Sequence, residues 1–157
     1  MTAATLPSRT ITCSDPAATS RLGAALAEAA AAGDLLCLWG DLGAGKTHLA
    51  KAFGAALGVA DTIVSPSFVL MAEYRGRLPL FHLDLYRLAD ATDALAGGLI
   101  DDRQSAGVTL VEWPERLADA LPTGRLDIFI AGSGDDPREV TLVAGTEAYR
   151  RYLGTVA

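Results

Sequence analysis

One stretch of eight residues constrains the fold of this chain more than any other. Residues 40 to 47 read Gly-Asp-Leu-Gly-Ala-Gly-Lys-Thr and match G-x-x-x-x-G-K-[ST] without a gap. Glycines in this pattern let the backbone turn through positive φ and bring its N–H groups close to phosphate oxygens, which a Cβ would block. The lysine can reach the β- and γ-phosphates, and the threonine hydroxyl can ligate Mg²⁺. The pattern predicts a phosphate-binding loop, which must leave a buried strand and enter a helix.

The residues on either side of the loop meet both conditions. Residues 35 to 39 form a short unbroken apolar run, as expected for a parallel strand covered on both faces. After the loop, Leu49, Ala50, Phe53 and Leu57 recur at helical spacing, and Gly58 is placed to end that helix. We therefore expect the chain to bind a nucleoside triphosphate.

Composition indicates a folded domain and argues against direct binding of nucleic acid. With 157 residues, half of them hydrophobic, the chain is predicted to form a single domain over residues 1–157. Thirteen basic and nineteen acidic residues give a net charge of −6, whereas binding a phosphate backbone needs a concentrated basic face. If a nucleic acid is the eventual substrate, we expect another protein to carry it.

Other features of the sequence predict a cytoplasmic protein. Every apolar run is shorter than the roughly 20 residues of a membrane span. The first twelve residues lack a basic segment followed by an apolar core, so a secretion signal is not predicted. Cys13 and Cys37 are too few for a disulfide framework and are expected to be reduced and structural.

Periodicity and turn residues predict an α/β fold. Asp15 and Pro16 are typical of a helix start, and Gly33 is expected to end that helix. Strands are predicted at residues 9–13, 35–39, 68–74, 78–85, 107–111, 126–131 and 139–144, with a weak helix or turn at 88–98. The predicted architecture resembles that of phosphate-loop NTPases: a mostly parallel sheet flanked by helices, with an antiparallel hairpin and closing strands.

Three polar clusters outside the loop are candidates for the site. Glu112 follows an apolar strand, at the sheet edge where ligands collect in open α/β sheets, so it is a candidate partner of Mg²⁺ or an ordinary solvated acid. Strand alternation puts His82, Asp84 and Tyr86 on one face, which is either a wall of the site or a solvent face. Residues 65 to 68, Ser-Pro-Ser-Phe, either sense a γ-phosphate or form an ordinary turn.

Taken together, four segments resemble the bacterial TsaE family. They are the phosphate loop at 40–47, Ser-Pro-Ser-Phe at 65–68, His-Leu-Asp-Leu-Tyr-Arg-Leu at 82–88 and Val-Glu-Trp-Pro-Glu at 111–115. Their order and spacing match the family over about residues 15–122, and the last two segments are far more specific than the loop. The resemblance implies an ATPase, with ATP or ADP and Mg²⁺ as cofactors. It also implies that the ATPase works with TsaB and TsaD partners to install threonylcarbamoyl on an adenosine beside the tRNA anticodon, and contacts tRNA only through that complex.

The resemblance also implies roles for individual residues. Thr47 and Glu112 would hold Mg²⁺, and hydrolysis would require Asp84 together with Lys46 and Glu112. The implied nucleotide contacts are Asp41, Leu42, Gly43, Ala44, Gly45, Lys46, Thr47, His48, Ser65, Ser67 and Trp113. Arg138 lies beyond the matched span and is a further candidate contact with the nucleotide. Two positions depart from the family pattern: His48 stands where a second threonine or serine is common, and Ser67 replaces a usual threonine.

Two other functions remain compatible with a phosphate loop. A small-molecule kinase would need an arginine-rich lid over the phosphates, and basic residues are sparse here. A nucleotide-gated binding module would bind the nucleotide with negligible hydrolysis. The guanine-reading pattern Asn-Lys-x-Asp is missing from the sequence, so the sequence leaves the base preference open.

Overall fold

The computed structural model describes residues 5–41, 43–61, 63, 71–86 and 102–154. The α-helices are α1 (Pro16–Ala29) and α2 (Lys46–Ala56). The strands are β1 (Ser8–Cys13), β2 (Leu35–Trp39), β3 (Met71–Arg75), β4 (Pro79–Asp84), β5 (Val108–Glu112), β6 (Leu126–Ala131) and β7 (Arg138–Ala144). Three 3₁₀ segments complete the described elements: Asp102–Ala106, Pro114–Ala120 and Glu147–Gly154.

The seven strands form one sheet in the order β1-β7-β6-β2-β5-β4-β3. Its four central strands, β6, β2, β5 and β4, are parallel to one another. At one edge β3 joins β4 as an antiparallel hairpin, and at the other edge β7 and β1 add antiparallel strands. The predicted α/β class, hairpin and closing strands are confirmed, with the parallel pairing concentrated in the centre of the sheet. As a result, the carboxyl ends of β2, β4 and β5 meet at one edge.

The two faces of the sheet are covered differently. Both α1 and α2 pack on one face, where Leu26 and Phe53 join the inward-facing Leu36 and Ile128 in a large apolar core. On the opposite face a smaller cluster packs Cys37 and Leu83 against Leu117 of the second 3₁₀ segment. Each fully buried leucine contributes about 1.5–3 kcal/mol of transfer free energy, so the larger core dominates the stability of the fold.

The start of α1 follows the prediction and its end does not. The Asp15 Oδ1 atom accepts a hydrogen bond of 2.8 Å from the Ala18 amide, and Pro16 occupies the first turn. The predicted end at Gly33 is wrong, because the helix stops at Ala29. The Ala31 amide bonds to the Asp34 side chain at 2.9 Å, which draws the chain out of the helix before Gly33 turns it toward β2 at φ +90°.

Several predictions fall outside the described residues. They are the start of the hairpin strand at 68–70, the Ser-Pro-Ser-Phe segment at 65–68 and the weak helix or turn at 88–98. No described helix has both the length and the apolar character that crossing a membrane requires.

Candidate nucleotide site

The phosphate loop leaves β2 at Trp39 and enters α2 at Lys46, so its backbone lies at the carboxyl edge of the sheet. Gly43 and Gly45 adopt φ values of +82° and +104°, in the left-handed region that favours glycine. At Gly40 the reason is steric, since a Cβ would lie 2.7 Å from the backbone oxygen of Ile130 on β6. These glycines give the loop the backbone conformation that the pattern predicts.

Lys46 extends along the inside of the loop. Its side chain is buried, and its Nζ donates a hydrogen bond of 2.5 Å to the carbonyl of Gly40. The same ammonium lies 3.4 Å from the centroid of the Trp113 ring, a cation–π contact. Burial lowers the pKa of Lys46, and the negative charges of Glu112 and other nearby carboxylates act in the opposite direction. A bound anion would restore electrostatic stabilisation that burial removes from this ammonium.

A chain of hydrogen bonds next to Lys46 joins Thr47, Glu112 and His82. The Thr47 hydroxyl donates to Glu112 Oε1 at 3.2 Å, and Glu112 Oε2 lies 2.6 Å from His82 Nε2. Glu112 is buried although it is an acid at the end of a strand. Of the two alternatives, the solvated strand-end acid is therefore wrong.

Asp84 lies beside Glu112, because β4 and β5 pair in a parallel register that aligns the two residues. Its Oδ1 accepts a hydrogen bond of 3.1 Å from the Tyr86 amide, and Tyr86 is 45% exposed. His82 on the same face is completely buried, so this face of β4 is not a solvent face. Together with the loop and Trp113, Asp84 and Tyr86 line a cavity of about 320 Å³.

Trp113 closes one side of this cavity. Among the described residues it alone adopts positive φ without being a glycine, at +60°. A bulky residue in this region carries backbone strain, which concentrates at functional positions. Its ring contacts both the Lys46 ammonium and the Tyr86 ring, whose centroid is 5.0 Å away.

Arg138, at the start of β7, holds the outer side of the loop. Its Nε donates to the Ala44 carbonyl at 2.8 Å, and its Nη2 reaches the Gly43 carbonyl at 3.3 Å. The same guanidinium also donates to the carbonyls of Gly134 and Asp136 in the turn between β6 and β7. Arg138 thus ties the phosphate loop to that turn, and direct contact with nucleotide stays a prediction.

A second cavity of about 250 Å³ opens on the other side of the loop. Residues 13–16, Thr19, Ala44, Gly45, His48, residues 134–136 and Arg138 line it. His48 points toward the start of α1, where its Nε2 lies 3.1 Å from both the Pro16 carbonyl and the Ser20 hydroxyl. Because a carbonyl only accepts, His48 must donate from Nε2 to bond Pro16. This position therefore carries a contact between the two helices.

The structure brings most of the predicted site residues to one edge of the sheet. The backbone carbonyl of Asp41 accepts a hydrogen bond of 3.1 Å from the Ala44 amide within the loop, and the other described candidates line one or both cavities. Leu42, Ser65 and Ser67 lie outside the described residues. The sequence did not lead us to predict that residues 13–16 line a cavity. It also did not lead us to predict the hydrogen bond between His82 and Glu112. The signal available for His82 was its position, two residues before Asp84 on the same strand face.

Comparison with known proteins places these features in one family. The model of the family described as threonylcarbamoyl adenosine biosynthesis protein TsaE matches residues 13–140. The TsaE protein of Bacillus subtilis is 42% identical over 142 residues, which cover 90% of this chain and 87% of that protein. The TsaE protein of Streptomyces coelicolor is 39% identical over 129 residues, 77% of this chain and 86% of that protein.

A solved structure shares the whole fold. The crystal structure of YdiB from Bacillus subtilis superposes with a TM-score of 0.80 at 34% sequence identity and covers 98% of this chain and 97% of that one. The predicted resemblance is confirmed, and the matched region contains the phosphate loop, Asp84 and Glu112. The chain belongs to the TsaE family of tRNA threonylcarbamoyladenosine biosynthesis.

Proposed function

We propose that this chain binds Mg·ATP at the carboxyl edge of its sheet and hydrolyses it in support of threonylcarbamoyl transfer to tRNA. One observation carries the proposal: the buried Lys46, the Thr47 hydroxyl and the buried Glu112 converge on the same cavity beside the glycine loop. Burying an ammonium and a carboxylate is costly unless each has a charged or hydrogen-bonded partner. Both groups have hydrogen-bonded partners within the protein, and a triphosphate with its metal would add charges of opposite sign beside them.

The donors at this position suit Mg²⁺. A hydroxyl and a carboxylate are hard oxygen ligands, and Mg²⁺ commonly takes one or two protein oxygens together with phosphate oxygens and water. Thr47 and Glu112 would hold the metal, which would neutralise charge on the phosphates when bound. Asp84, on the neighbouring strand and bordering the same cavity, would orient the attacking water.

The second cavity would take the nucleoside end of the ligand. It adjoins the first along the loop at Gly45 and His48, which line both. Its walls combine apolar surface with the polar groups of Asp15 and Arg138, the mixture typical of small-ligand sites. ATP bound across the loop would lie with its phosphates against Lys46.

The hydrolysis would serve a complex rather than an isolated enzyme. The family's role in tRNA modification and the net charge of −6 favour a subunit that reaches tRNA through TsaB and TsaD partners. In this arrangement the transfer occurs on the TsaD partner, and ATP turnover by the present chain resets the assembly. Turnover is then slow for the chain alone and rises when the partners are present.

The test measures ATP turnover by the purified chain, alone and with TsaB- and TsaD-type proteins. We expect stimulation by the partners, and loss of nucleotide binding in Lys46→Ala because the phosphates lose their buried cation. Lys51→Ala is the matched control, since Lys51 lies exposed on the same helix. Absence of both ATP and ADP binding in calorimetry would contradict the proposal. Rapid phosphoryl transfer to a metabolite would favour a kinase, and tight binding without turnover would favour a nucleotide-gated module.

A further inference from the structure

We propose that His82 is a positioning residue that fixes the Glu112 carboxylate for its metal, an inference that rests on the proposed function. His82 and Glu112 sit on neighbouring strands with their side chains on the face that carries α2. His82 would not touch nucleotide or metal. It would act entirely through the oxygen of Glu112 that faces away from Thr47.

The contact between the two side chains is short and closed to solvent. His82 Nε2 lies 2.6 Å from Glu112 Oε2, with side-chain exposures of 0% and 3%. The bond is therefore closed to bulk solvent in the intact protein. Removing one partner of a buried hydrogen bond to a charged group leaves the other partner unsatisfied, which is costly because that group is already desolvated.

The chemistry of the carboxylate assigns the donor. An ionised carboxylate only accepts, so the bond requires a proton on His82 Nε2. The other ring nitrogen, Nδ1, is buried and has no hydrogen-bond partner among the residues that the structure describes. The geometry thus assigns Nε2 as the atom that donates to Glu112.

This arrangement divides the two oxygens of Glu112 between separate tasks. His82 occupies Oε2, while Oε1 faces the Thr47 hydroxyl at 3.2 Å. Lys46 exerts a further pull on the carboxylate, since the charge of Glu112 acts on the pKa of that lysine. A fixed bond at Oε2 limits rotation of the carboxylate toward the ammonium and keeps Oε1 beside Thr47. Partners of this kind orient metal ligands, and their removal typically lowers metal affinity by about 10–100-fold.

Three substitutions at His82 separate positioning from packing. His82→Phe keeps a buried ring but removes the donor, and His82→Asn keeps a polar group too short to reach Oε2. His82→Gln places an amide N–H near the position of Nε2 and should restore the bond. Phe81→Leu is the control, because Phe81 is buried on the opposite face of β4.

The experiment titrates ADP into the full chain by calorimetry without Mg²⁺ and at a series of Mg²⁺ concentrations, with thermal unfolding measured in parallel. The measured quantity is the Mg²⁺ concentration at which Mg²⁺ has half of its full effect on ADP affinity. In the Phe and Asn variants we expect this concentration to rise at least tenfold. Affinity for ADP without Mg²⁺ should stay within about twofold of wild type. The Gln and Phe81→Leu variants should keep the wild-type Mg²⁺ requirement.

The outcomes distinguish this inference from the proposed function. If the wild type binds no ADP, or if Mg²⁺ has no effect on its binding, the proposed metal site fails. If the wild type responds to Mg²⁺ and the folded Phe or Asn variant responds equally, His82 has no positioning role. If the His82→Phe variant does not fold, the result for His82→Asn decides. A His82→Gln variant that needs as much Mg²⁺ as His82→Asn would contradict the assignment of Nε2 as the donor.

Discussion

At the scale of single residues, burial has its largest consequences for polar and ionisable side chains. His82, Glu112 and Lys46 are buried beside the proposed nucleotide and have partners of opposite charge or hydrogen-bonding type. Cys37 in β2 is equally buried. The positive charge of Arg125 lowers the pKa of its thiol, but by less than burial raises it. Its thiol is therefore stable only in the protonated form, which has a measurable consequence at alkaline pH.

Cys37 should make the protein less stable above pH 9. Burial, reinforced by the charge of Asp127, raises the pKa of Cys37 from 9.0 to about 12. Between these values the unfolded thiol ionises while the folded one does not, so the free energy of unfolding falls as pH rises. From pH 8 to pH 10 this one group should cost about 1.4 kcal/mol.

Chemical denaturation of wild type and Cys37→Ala under reducing conditions checks this expectation. Groups other than Cys37 titrate in both proteins, so their difference in unfolding free energy isolates the thiol. The alanine variant loses packing at every pH, but its disadvantage should shrink by about 1.4 kcal/mol from pH 8 to pH 10. A difference that stays constant with pH would mean that the folded thiol ionises normally.

At the scale of elements, sequence patterns predicted what depends on neighbours along the chain. The loop, the cap at Asp15 and the strand cores follow from spacing and local chemistry, and Gly58 ends α2 at φ +91° as expected. The close approach of Gly23 to α2 and the bonds of Arg138 depend instead on residues far away in sequence. Strand order decides these contacts, since β2 pairs with β5 and β6 rather than with its sequence neighbours.

The contact between α1 and α2 predicts that Gly23→Ala destabilises the fold. Replacing glycine with alanine inside a helix normally gains about 1 kcal/mol. Here the new Cβ would lie 2.8 Å from the Ala52 Cβ and 3.1 Å from the Phe53 amide nitrogen. Overpacking of this kind costs about 1–3 kcal/mol, so we expect a net loss of about 1 kcal/mol in denaturant unfolding.

A double variant checks the cause of that loss. In Gly23→Ala/Ala52→Gly the nearest clash is gone, so the cost of Gly23→Ala should be smaller in the Ala52→Gly background than in wild type. Stabilisation by Gly23→Ala alone would show that the helices can separate without cost.

The bonds of Arg138 predict a role in shaping the phosphate loop. Arg138→Met keeps much of the side-chain volume but removes the donors to the carbonyls of Gly43 and Ala44. We expect ADP affinity to fall by about tenfold, because the loop loses hydrogen bonds to a charged group. The affinity for inorganic pyrophosphate should fall by a similar factor, because its phosphates would bind the same loop.

Calorimetry with ADP and with pyrophosphate measures both effects. Arg150→Met is the control, because Arg150 is exposed and its guanidinium pairs with Glu147 at 3.4 Å, away from the loop. A loss restricted to ADP would assign Arg138 to the nucleoside rather than to the loop. Unchanged affinity for both ligands would contradict either role.

At the scale of the whole molecule, the two edges of the parallel core are built differently. The carboxyl edge carries the glycine loop, two cavities and the strained Trp113. Near the opposite edge, the last 3₁₀ segment packs on the core through Tyr149 and Tyr152, and the Tyr149 hydroxyl accepts a bond of 2.9 Å from the amide at the start of β2. The cavities and the anchoring of the last 3₁₀ segment thus lie at different ends of the same strands.

That separation predicts a variant that loses stability but keeps the site. Asp34, just before β2, accepts hydrogen bonds from the Tyr152 hydroxyl, the Arg151 guanidinium and the Ala31 amide. Burial and the adjacent Asp34 raise the pKa of Tyr152, so its hydroxyl remains a donor at neutral pH. Tyr152→Phe removes that donor from a buried carboxylate and should lower the free energy of unfolding by about 1.5–3 kcal/mol. ADP affinity below the unfolding transition should match wild type, and the exposed Tyr86→Phe serves as the stability control. Equal losses of stability and of ADP affinity would show that the two edges are coupled through β2.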